Sequence, residues 1–383
     1  MNIQAVQEEA VQLLREMIAI PSASFNEDAV CSHICCWMNA RGIAHERIGN
    51  NIVAEHICDP AKPTLMLCAH IDTVEPCEEY TFNPYKPENC PADIVQGLGS
   101  NDDGASVVSM IAAYRYITSS DRGGLKNNPS QTSLGPSPCG QGGSTVFKTS
   151  PTPTYNFILV LTCEEERSGK GGMTGLWPSL ASKVDFAIVG EPTGMKAAIA
   201  ERGLLVIDAT AEGVSGHAAR NEGVNALYIA LEDIAKLREH EFAKVSPRMG
   251  KVNLNVTQIN AGSTHNVIPD RCSFVIDIRP TEQYTNQEIL DELQAICKSK
   301  LSPRNLLNQS SATFEDSPLQ KAAEELGIET FSSPTTSDWM RISCDAIKMG
   351  PGDSARSHKK DEYVTVEEIS EGIKTYIEFI ERL

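Results

Sequence analysis

The sequence lacks any uninterrupted apolar run of the roughly 18 residues that a membrane-spanning helix requires. Its N-terminal stretch also lacks the basic start and apolar core of a secretory signal peptide, because Glu8, Arg15 and Glu16 interrupt it. The 12 cysteines do not form the paired Cys-x-x-Cys units that are typical of structural zinc sites. We therefore expect a cytoplasmic protein whose thiols stay reduced.

Positive charge is scarce as well. The 33 Lys and Arg residues against 51 Asp and Glu residues give a net charge of −18 with His neutral. Such a surface repels nucleic-acid phosphates and anionic lipids, so we expect neither nucleic acid nor membrane as a partner. The remaining composition, with 41% hydrophobic and 22% charged residues, is that of an ordinary globular protein, and the length favours two domains.

Strand and helix patterns alternate along the first half of the chain and return near its end. They predict strands at 51–56, 63–68, 157–162 and 184–189, and helices that include 103–117 and 366–383. This alternation is typical of an α/β fold. We expect an α/β/α catalytic domain built around a central, mostly parallel sheet.

A different pattern occupies residues 203–310. It predicts strands at 204–209, 252–259 and 272–279, helices at 225–239 and 286–297, and a last strand near 301–307. This order is typical of a small α+β sandwich of the ferredoxin-like kind. The sequence therefore predicts a domain formed by 1–202 and 311–383, interrupted by this inserted domain. A stretch rich in Gly, Ser, Pro and Thr at 118–154 predicts a flexible insertion.

Five segments carry metal-binding or acid–base side chains near the ends of predicted strands, the edge at which open α/β sheets build their sites. They contain, in chain order, His70 with Asp72, the loop 97–104 with Asp102, the triplet 164–166, the tetrapeptide 190–193 with Glu191, and the loop 350–353 followed by His358. In the first, a carboxylate two residues beyond a histidine can accept the second imidazole N–H and so fix its tautomer. In the third, three adjacent carboxylates repel one another, and a bound cation would relieve that repulsion.

Each segment alone has an ordinary structural explanation. His70 and Asp72 fit a capped turn after a strand, and Asp102 or Asp103 fits the N-cap of the following helix. The glycines of 97–104 also suggest a dinucleotide site, but a negative charge at Asp102 would repel pyrophosphate. Taken together, two histidines and several carboxylates favour two divalent ions with mixed nitrogen and oxygen ligands.

In this order the segments resemble the M20 family of metallopeptidases and aminoacylases, which includes acetylornithine deacetylases, succinyl-diaminopimelate desuccinylases and carboxypeptidases. The family's H-x-D-x-V, G-x-G-x-x-D, E-E, G-E-P-[TS] and late His motifs match residues 70–74, 97–102, 165–166, 190–193 and 358. The resemblance covers nearly the whole chain. It implies a metal-dependent hydrolase of linear amides, with a lid and dimerisation domain at 203–310.

The resemblance also implies a role for each matched residue. It assigns one divalent ion, Zn²⁺ or Co²⁺, to His70, Asp102 and Glu191 and a second to Asp102, Glu166 and His358, with Asp102 as the bridging ligand. It makes Glu165 the general base and gives Asp72 the task of orienting His70. It further implies that the Asp102–Asp103 peptide bond is cis.

The inserted domain carries further marks of the family at 214–219, 262–269 and 277–279. By resemblance, His217 donates to the substrate carbonyl oxygen in the neighbouring subunit of a homodimer, and Asn266 and Arg279 bind the substrate's α-carboxylate. From the residues alone, His217 fits a structural histidine, Asn266 a turn former and Arg279 a surface ion pair.

These assignments describe metal-assisted amide hydrolysis, in which the ions lower the pKa of a bound water toward about 7 and Glu165 moves its proton. The segments around 97–106, 163–166 and 334–338 resemble the acetylornithine deacetylase-like branch. That implies N2-acetyl-L-ornithine, or N2-succinyl-L-ornithine, as the substrate in arginine biosynthesis. The alternatives are a succinyl-diaminopimelate desuccinylase, another M20 aminoacylase or dipeptidase, a nucleotide-dependent enzyme, and a non-catalytic binding protein on the same fold.

Overall fold

The computed structural model describes residues 2–88, 90–119, 154–220 and 222–383. The chain divides into two compact units, 1–195 with 349–383 and 196–348. The domain boundaries predicted after 202 and after 310 stay predictions; the second unit begins before the first of them and ends after the second. The insertion predicted at 118–154 lies, apart from its ends, outside the described residues.

Eight helices and seventeen strands are present among the described residues. The helices are α1 (Ile3–Ile18), α2 (Asp28–Ala40), α3 (Gly104–Thr118), α4 (Met173–Leu180), α5 (Ala226–Glu239), α6 (Asn286–Ile296), α7 (Pro318–Glu325) and α8 (Val366–Arg382). The strands of the first unit are β1 (Glu46–Ile48), β2 (Asn51–His56), β3 (Thr64–His70), β4 (Ile94–Gln96), β5 (Asn156–Thr162), β6 (Phe186–Val189) and β17 (Tyr363–Thr365). Those of the second unit are β7 (Ala197–Glu201), β8 (Leu205–Glu212), β9 (Gly216–His217), β10 (Asn253–Ala261), β11 (Val267–Ile268), β12 (Arg271–Arg279), β13 (Lys300–Pro303), β14 (Ser311–Ala312), β15 (Thr330–Ser333) and β16 (Asp345–Lys348). Among the described residues, no helix combines the length and apolarity that crossing a membrane requires.

The sheet of the first unit has the strand order β1-β2-β5-β3-β6. Its centre is parallel, because β3 pairs in parallel with both β5 and β6, whereas β1 and β2 add an antiparallel edge. Every residue of β3 and β5 is buried, as expected for the continuous apolar runs of central parallel strands. Since parallel strands run the same way, β3, β5 and β6 all end at one edge of the sheet. The register places His70, the last residue of β3, beside Thr162, the last residue of β5.

The second unit contains an antiparallel sheet of four strands in the order β10-β12-β8-β13. Helix α5 packs on β8, β10 and β12, and helix α6 packs on β13. Alternate residues of β8 and β12, among them Ile207, Ala209, Phe274 and Ile276, form the buried core beneath the helices. The chain order strand, helix, two strands, helix, strand is that of a ferredoxin-like sandwich, so this prediction is confirmed. The rest of the unit includes α7, the two-stranded ribbon of β9 and β11, and the strands β14, β15 and β16, which all pair with β7.

Candidate metal centre

His70 is the central residue of a cluster at the common edge of β3, β5 and β6. Its side chain is only 3% exposed, and its Nε2 lies 3.3 Å from Oδ1 of Asp102. Its Nδ1 lies 3.0 Å from the backbone carbonyl oxygen of Asp72 and 3.5 Å from Oδ1 of the same residue. Burial alone would lower the pKa of His70, but its hydrogen bonds with Asp102 and Asp72 raise that pKa well above the ordinary value. An imidazole that donates from Nδ1 leaves Nε2 available to a metal ion.

The Asp72 carboxylate connects the end of β3 with the acidic triplet after β5. Its Oδ1 accepts the N–H of Glu165 at 3.0 Å, and its Oδ2 accepts the N–H of Glu166 at 3.1 Å and the hydroxyl of Ser24 at 2.6 Å. Burial would raise the pKa of Asp72, but the hydrogen bonds from His70, Ser24 and Glu165 lower it overall. Asp72 therefore positions the triplet as well as lying beside His70, a contact that the sequence did not reveal.

The triplet separates into one residue that shapes the turn and two that join the cluster. Glu164 has a left-handed backbone (φ +58°), and its Oε2 accepts the N–H of Gly171 at 2.8 Å. A Cβ added to Gly169 or Gly171 would lie 2.1 or 2.4 Å from the Glu164 carboxylate, so a larger residue at either position would displace that side chain. Glu165 and Glu166 begin a short 3-10 helix, and both carboxylates belong to the cluster around His70.

Asp102 is held by a buried carboxylate to which the sequence analysis gave no role. The short antiparallel pair β4–β17 brings Glu362 against the loop 97–102. Glu362 accepts the backbone N–H groups of Gly99 at 3.1 Å, Asn101 at 2.8 Å and Asp102 at 2.9 Å. Burial raises the pKa of Glu362 to about 7. The only sequence signal was its place in the acidic pair 361–362, shortly after His358.

The peptide bond between Asp102 and Asp103 is cis, as the resemblance implies. Asp103 stands at the N-cap of α3 but makes no capping hydrogen bond with its side chain, so the capping explanation does not account for it. Instead its buried Oδ2 accepts the backbone N–H of His70 at 3.3 Å. Burial raises the pKa of Asp103 to about 7. The Asp102 carboxylate faces the other way, toward the two histidines of the cluster.

His358 and Glu191 complete the group of residues that the motifs predict. The Nε2 of His358 lies 2.9 Å from Oε1 of Glu166 and 3.6 Å from Oδ2 of Asp102, and its side chain is 54% exposed. The hydrogen bond with Glu166 raises the pKa of His358 to about 9. Burial raises the pKa of Glu166. Glu191 follows Gly190, whose N–H donates to the carbonyl oxygen of Cys68 in β3 at 2.6 Å and so brings Glu191 to the same edge.

The clustered donors suit divalent metal ions. Ligand atoms of His70, Glu165 and Glu191 lie within 4.8 Å of one another, and so do those of His70, Asp102 and Glu166. Asp102 lies between the two imidazoles, with its oxygens 3.3 Å from His70 and 3.6 Å from His358. Imidazole nitrogens and carboxylate oxygens in one place match the preferences of Zn²⁺ and similar ions, and the repulsion among the carboxylates favours a bound cation.

The remaining predicted residues belong to the second unit. His217, in β9, is exposed, and its Nδ1 accepts the N–H of Ala219 at 3.2 Å. The pairing of β9 with β11 brings it close to Asn266, whose carbonyl oxygen accepts the N–H of Ala218. Arg279 is not beside them: it ends β12, and its guanidinium binds Asp277 at 2.9 and 3.3 Å. Their roles stay predictions.

The M20 peptidase dimerisation domain matches residues 199–305 of the chain. The resemblance to the M20 family is confirmed. A succinyl-diaminopimelate desuccinylase of Wolbachia pipientis subsp. Culex pipiens is 25% identical over 97% of this chain and 92% of its own length. An acetylornithine deacetylase of Proteus mirabilis is 26% identical over 92% of this chain and 91% of its own.

The fold is likewise that of solved M20 structures. A dinuclear metal binding peptidase of the M20 family from Bacillus subtilis superposes with a TM-score of 0.69, at 15% identity and with 98% of each chain covered. The predicted α/β architecture with an inserted α+β domain is therefore confirmed.

We expect metal binding to this cluster to release protons. With a pKa of about 9, His358 carries a proton below that pH in the metal-free protein, and an ion that binds its nitrogen must displace the proton. The apparent affinity for Zn²⁺ should therefore fall as the pH is lowered from 8 to 6.5, by up to about tenfold per unit for one proton. Calorimetric titration in buffers of different ionisation enthalpy measures both quantities.

A matched pair of variants tests the source of that proton. His358→Ala should reduce proton release, whereas His56→Ala should not. His56 pairs with the start of β5, at the opposite end of the strand from the cluster. Equal proton release from both variants and the unaltered protein would contradict the assignment of His358 to the metal cluster.

Proposed function

We propose that the protein is a dinuclear-metal hydrolase that removes the N2-acyl group of an N-acyl amino acid. The substrate proposed is N2-acetyl-L-ornithine or N2-succinyl-L-ornithine, which would yield L-ornithine for arginine biosynthesis in the cytoplasm. The observation that supports this is the convergence of His70, Asp102, Glu165, Glu166 and His358 at one sheet edge, with two backbone amides of the acidic triplet bound to Asp72.

The chain's own residues suit this chemistry. When bound, two divalent ions would polarise the amide carbonyl and lower the pKa of water near the cluster, and His70, Asp102, Glu166, Glu191 and His358 would hold them. Glu165, held by its N–H on Asp72, would take the proton of the attacking water and return it to the leaving amine nitrogen. The resemblance assigns His217 to the carbonyl oxygen, where an N–H donor would stabilise developing negative charge.

Recognition of the substrate's α-carboxylate is assigned by resemblance to Asn266 and Arg279. Asn266 is exposed and lies immediately before β11, close to His217, which supports its assignment. The guanidinium of Arg279 is already paired with Asp277 and would have to exchange that partner for the substrate. Asn266 is therefore the better supported of the two.

A second candidate is succinyl-diaminopimelate hydrolysis. It is favoured by the Wolbachia relative, whose similarity extends over 97% of this chain. The substrates of both candidate functions are N-acylated amino acids that carry a second, free amine. The same catalytic cluster therefore serves either.

A comparison of three substrates separates the candidates. The zinc- or cobalt-loaded protein is assayed for amine release from N2-acetyl-L-ornithine, N2-succinyl-L-ornithine and N-succinyl-diaminopimelate. We expect the highest kcat/KM with one of the two ornithine compounds, and loss of activity on chelation that is restored by adding metal back. Preference for the diaminopimelate compound would select the second candidate, and hydrolysis of none of them would refute the proposed function.

Replacing the proposed base tests the assignment within the cluster. Glu165→Gln keeps the shape of the side chain and its backbone bond to Asp72, so metal content should be retained while kcat falls by about 10²–10⁴. Glu55→Gln is the control, since Glu55 pairs with Ile158 in the far half of β5. Normal turnover by Glu165→Gln would show that another group is the base.

We further propose that the partner of this chain is a second copy, bound through the inserted domain. Strand β10 lies at the edge of its sheet, and none of its nine residues is charged. Unprotected edge strands favour pairing with another strand. Ile259 of β10 is 44% exposed, and Leu231 of α5 is 48% exposed. Leu231 lies on the solvent-facing side of α5, opposite the buried Asp233. The dimerisation-domain match supports a second copy as the occupant.

A charge placed on this edge should prevent association. Ile259→Lys adds a charge to β10 without disturbing the buried core, and we expect a shift from dimer to monomer in light scattering coupled to gel filtration. Leu307→Lys is the control, because Leu307 is exposed and follows β13 at the other edge of the sheet. A dimer that persists in Ile259→Lys would exclude this edge.

A further inference from the structure

Phe25 occupies an unfavourable position for an aromatic residue. It is the third residue of a turn closed by the N–H of Asn26 on the carbonyl oxygen of Ala23, at 2.8 Å. Its φ is +74°, a left-handed value that glycine adopts freely at this place in a turn and that a bulky side chain disfavours. The side chain is also 61% exposed, so burial of the ring does not explain why phenylalanine stands there.

The turn is fastened to the residues of the metal cluster. The N–H of Ser24 donates to the carbonyl oxygen of Thr73 at 3.1 Å, and the N–H of Thr73 donates to the carbonyl oxygen of Ser22 at 3.0 Å. The hydroxyl of Ser24 donates to Oδ2 of Asp72 at 2.6 Å, the same oxygen that holds the N–H of Glu166. Phe25 therefore follows directly on a residue that touches the carboxylate positioning the triplet.

A second carboxylate ties Phe25 to the triplet from the other side. The buried Glu27 uses one oxygen, Oε1, to accept both the N–H of Phe25 at 2.6 Å and the N–H of Glu164 at 3.2 Å. Its other oxygen accepts the side-chain amide of Asn50 at 3.1 Å. The backbone of Phe25 and that of the triplet thus meet at a single oxygen atom, which links the position of the turn to that of the triplet.

We propose that Phe25 is a specificity-determining residue that contacts the hydrocarbon part of the substrate. This inference rests on the proposed function, an amide hydrolase of N-acyl amino acids. The ring is exposed, and its backbone is fixed beside the residues that position the cluster, by Glu27 directly and by Ser24 through Asp72. Such a ring offers the apolar contact that a small amphipathic substrate needs next to charged groups. Glu27 and Ser24 act through it as positioning residues, because they fix the turn in a conformation that its own sequence disfavours.

The test uses Phe25→Gly, since glycine accepts the left-handed conformation and removes the ring. If Phe25 contacts substrate, kcat/KM should fall about tenfold or more, mainly through a higher KM, because the lost contact does not involve the reacting atoms. The melting temperature should stay unchanged or rise, because the turn is relieved of its bulky residue. A purely structural role predicts instead an unchanged kcat/KM and a lower melting temperature.

Two further variants keep the test specific. Phe25→Tyr retains the ring and should keep kcat/KM within about twofold of the unaltered protein. Ile57→Ala removes another exposed apolar side chain, 48% exposed and next to the start of β5 at the far edge of the sheet, and should leave kcat/KM unchanged.

Two substrate series show which part of the substrate meets the ring. One varies the acyl chain (acetyl, butanoyl, hexanoyl) on ornithine, and the other varies the amino acid under a constant acetyl group. We expect the loss of kcat/KM in Phe25→Gly to grow with the length of the varied group in one of the two series. Equal kcat/KM for Phe25→Gly and the unaltered protein in both series would overturn this inference alone. Failure of the unaltered protein to hydrolyse any member would overturn the proposed function and this inference with it.

Discussion

The Asp72 carboxylate is the interaction on which the arrangement of the candidate site depends. It lies beside the imidazole of His70, and its two oxygens accept the backbone amides of Glu165 and Glu166. One buried group therefore fixes both a histidine at the end of β3 and the acidic residues after β5. Because Glu165 and Glu166 are held through their backbone N–H groups, their carboxylates can take part in the cluster around His70.

The same principle recurs on the other sides of the cluster. Glu362 holds the loop of Asp102 by three backbone N–H groups, and Glu27 holds Glu164 by one. Each of these carboxylates is buried, and each comes from an element far away in sequence. Acidic residues thus act here in two distinct ways. Some accept backbone amides and set the geometry, whereas others present oxygens to the centre of the cluster.

Local sequence patterns were sufficient for the regular elements and for the residues at strand ends. The bounds of β2 agree with the prediction, and α6 differs by one residue, because apolar periodicity and the Thr285–Glu288 capping box define that helix locally. Strands of two or three residues, such as β4, β9 and β14, are too short to show a period and were missed. The positioning roles of Glu362 and Glu27 were missed as well, because they depend on contacts across about 260 and 137 residues that no local pattern encodes. The resemblance to a family, and not periodicity, supplied the candidate metal ligands.

The position of β17 has a consequence for how the protein is made. His358 and Glu362 lie near the C-terminus, after the whole of the second unit, yet they are neighbours of Asp102 and Glu166 from the first half of the chain. A ribosome must therefore synthesise the whole of the second unit, and His358 and Glu362 after it, before the cluster can assemble. Nascent chains stalled earlier contain the loop of Asp102 without the carboxylate that holds its amides. Assembly of the cluster therefore cannot precede synthesis of the second unit, which lies between its two groups of residues.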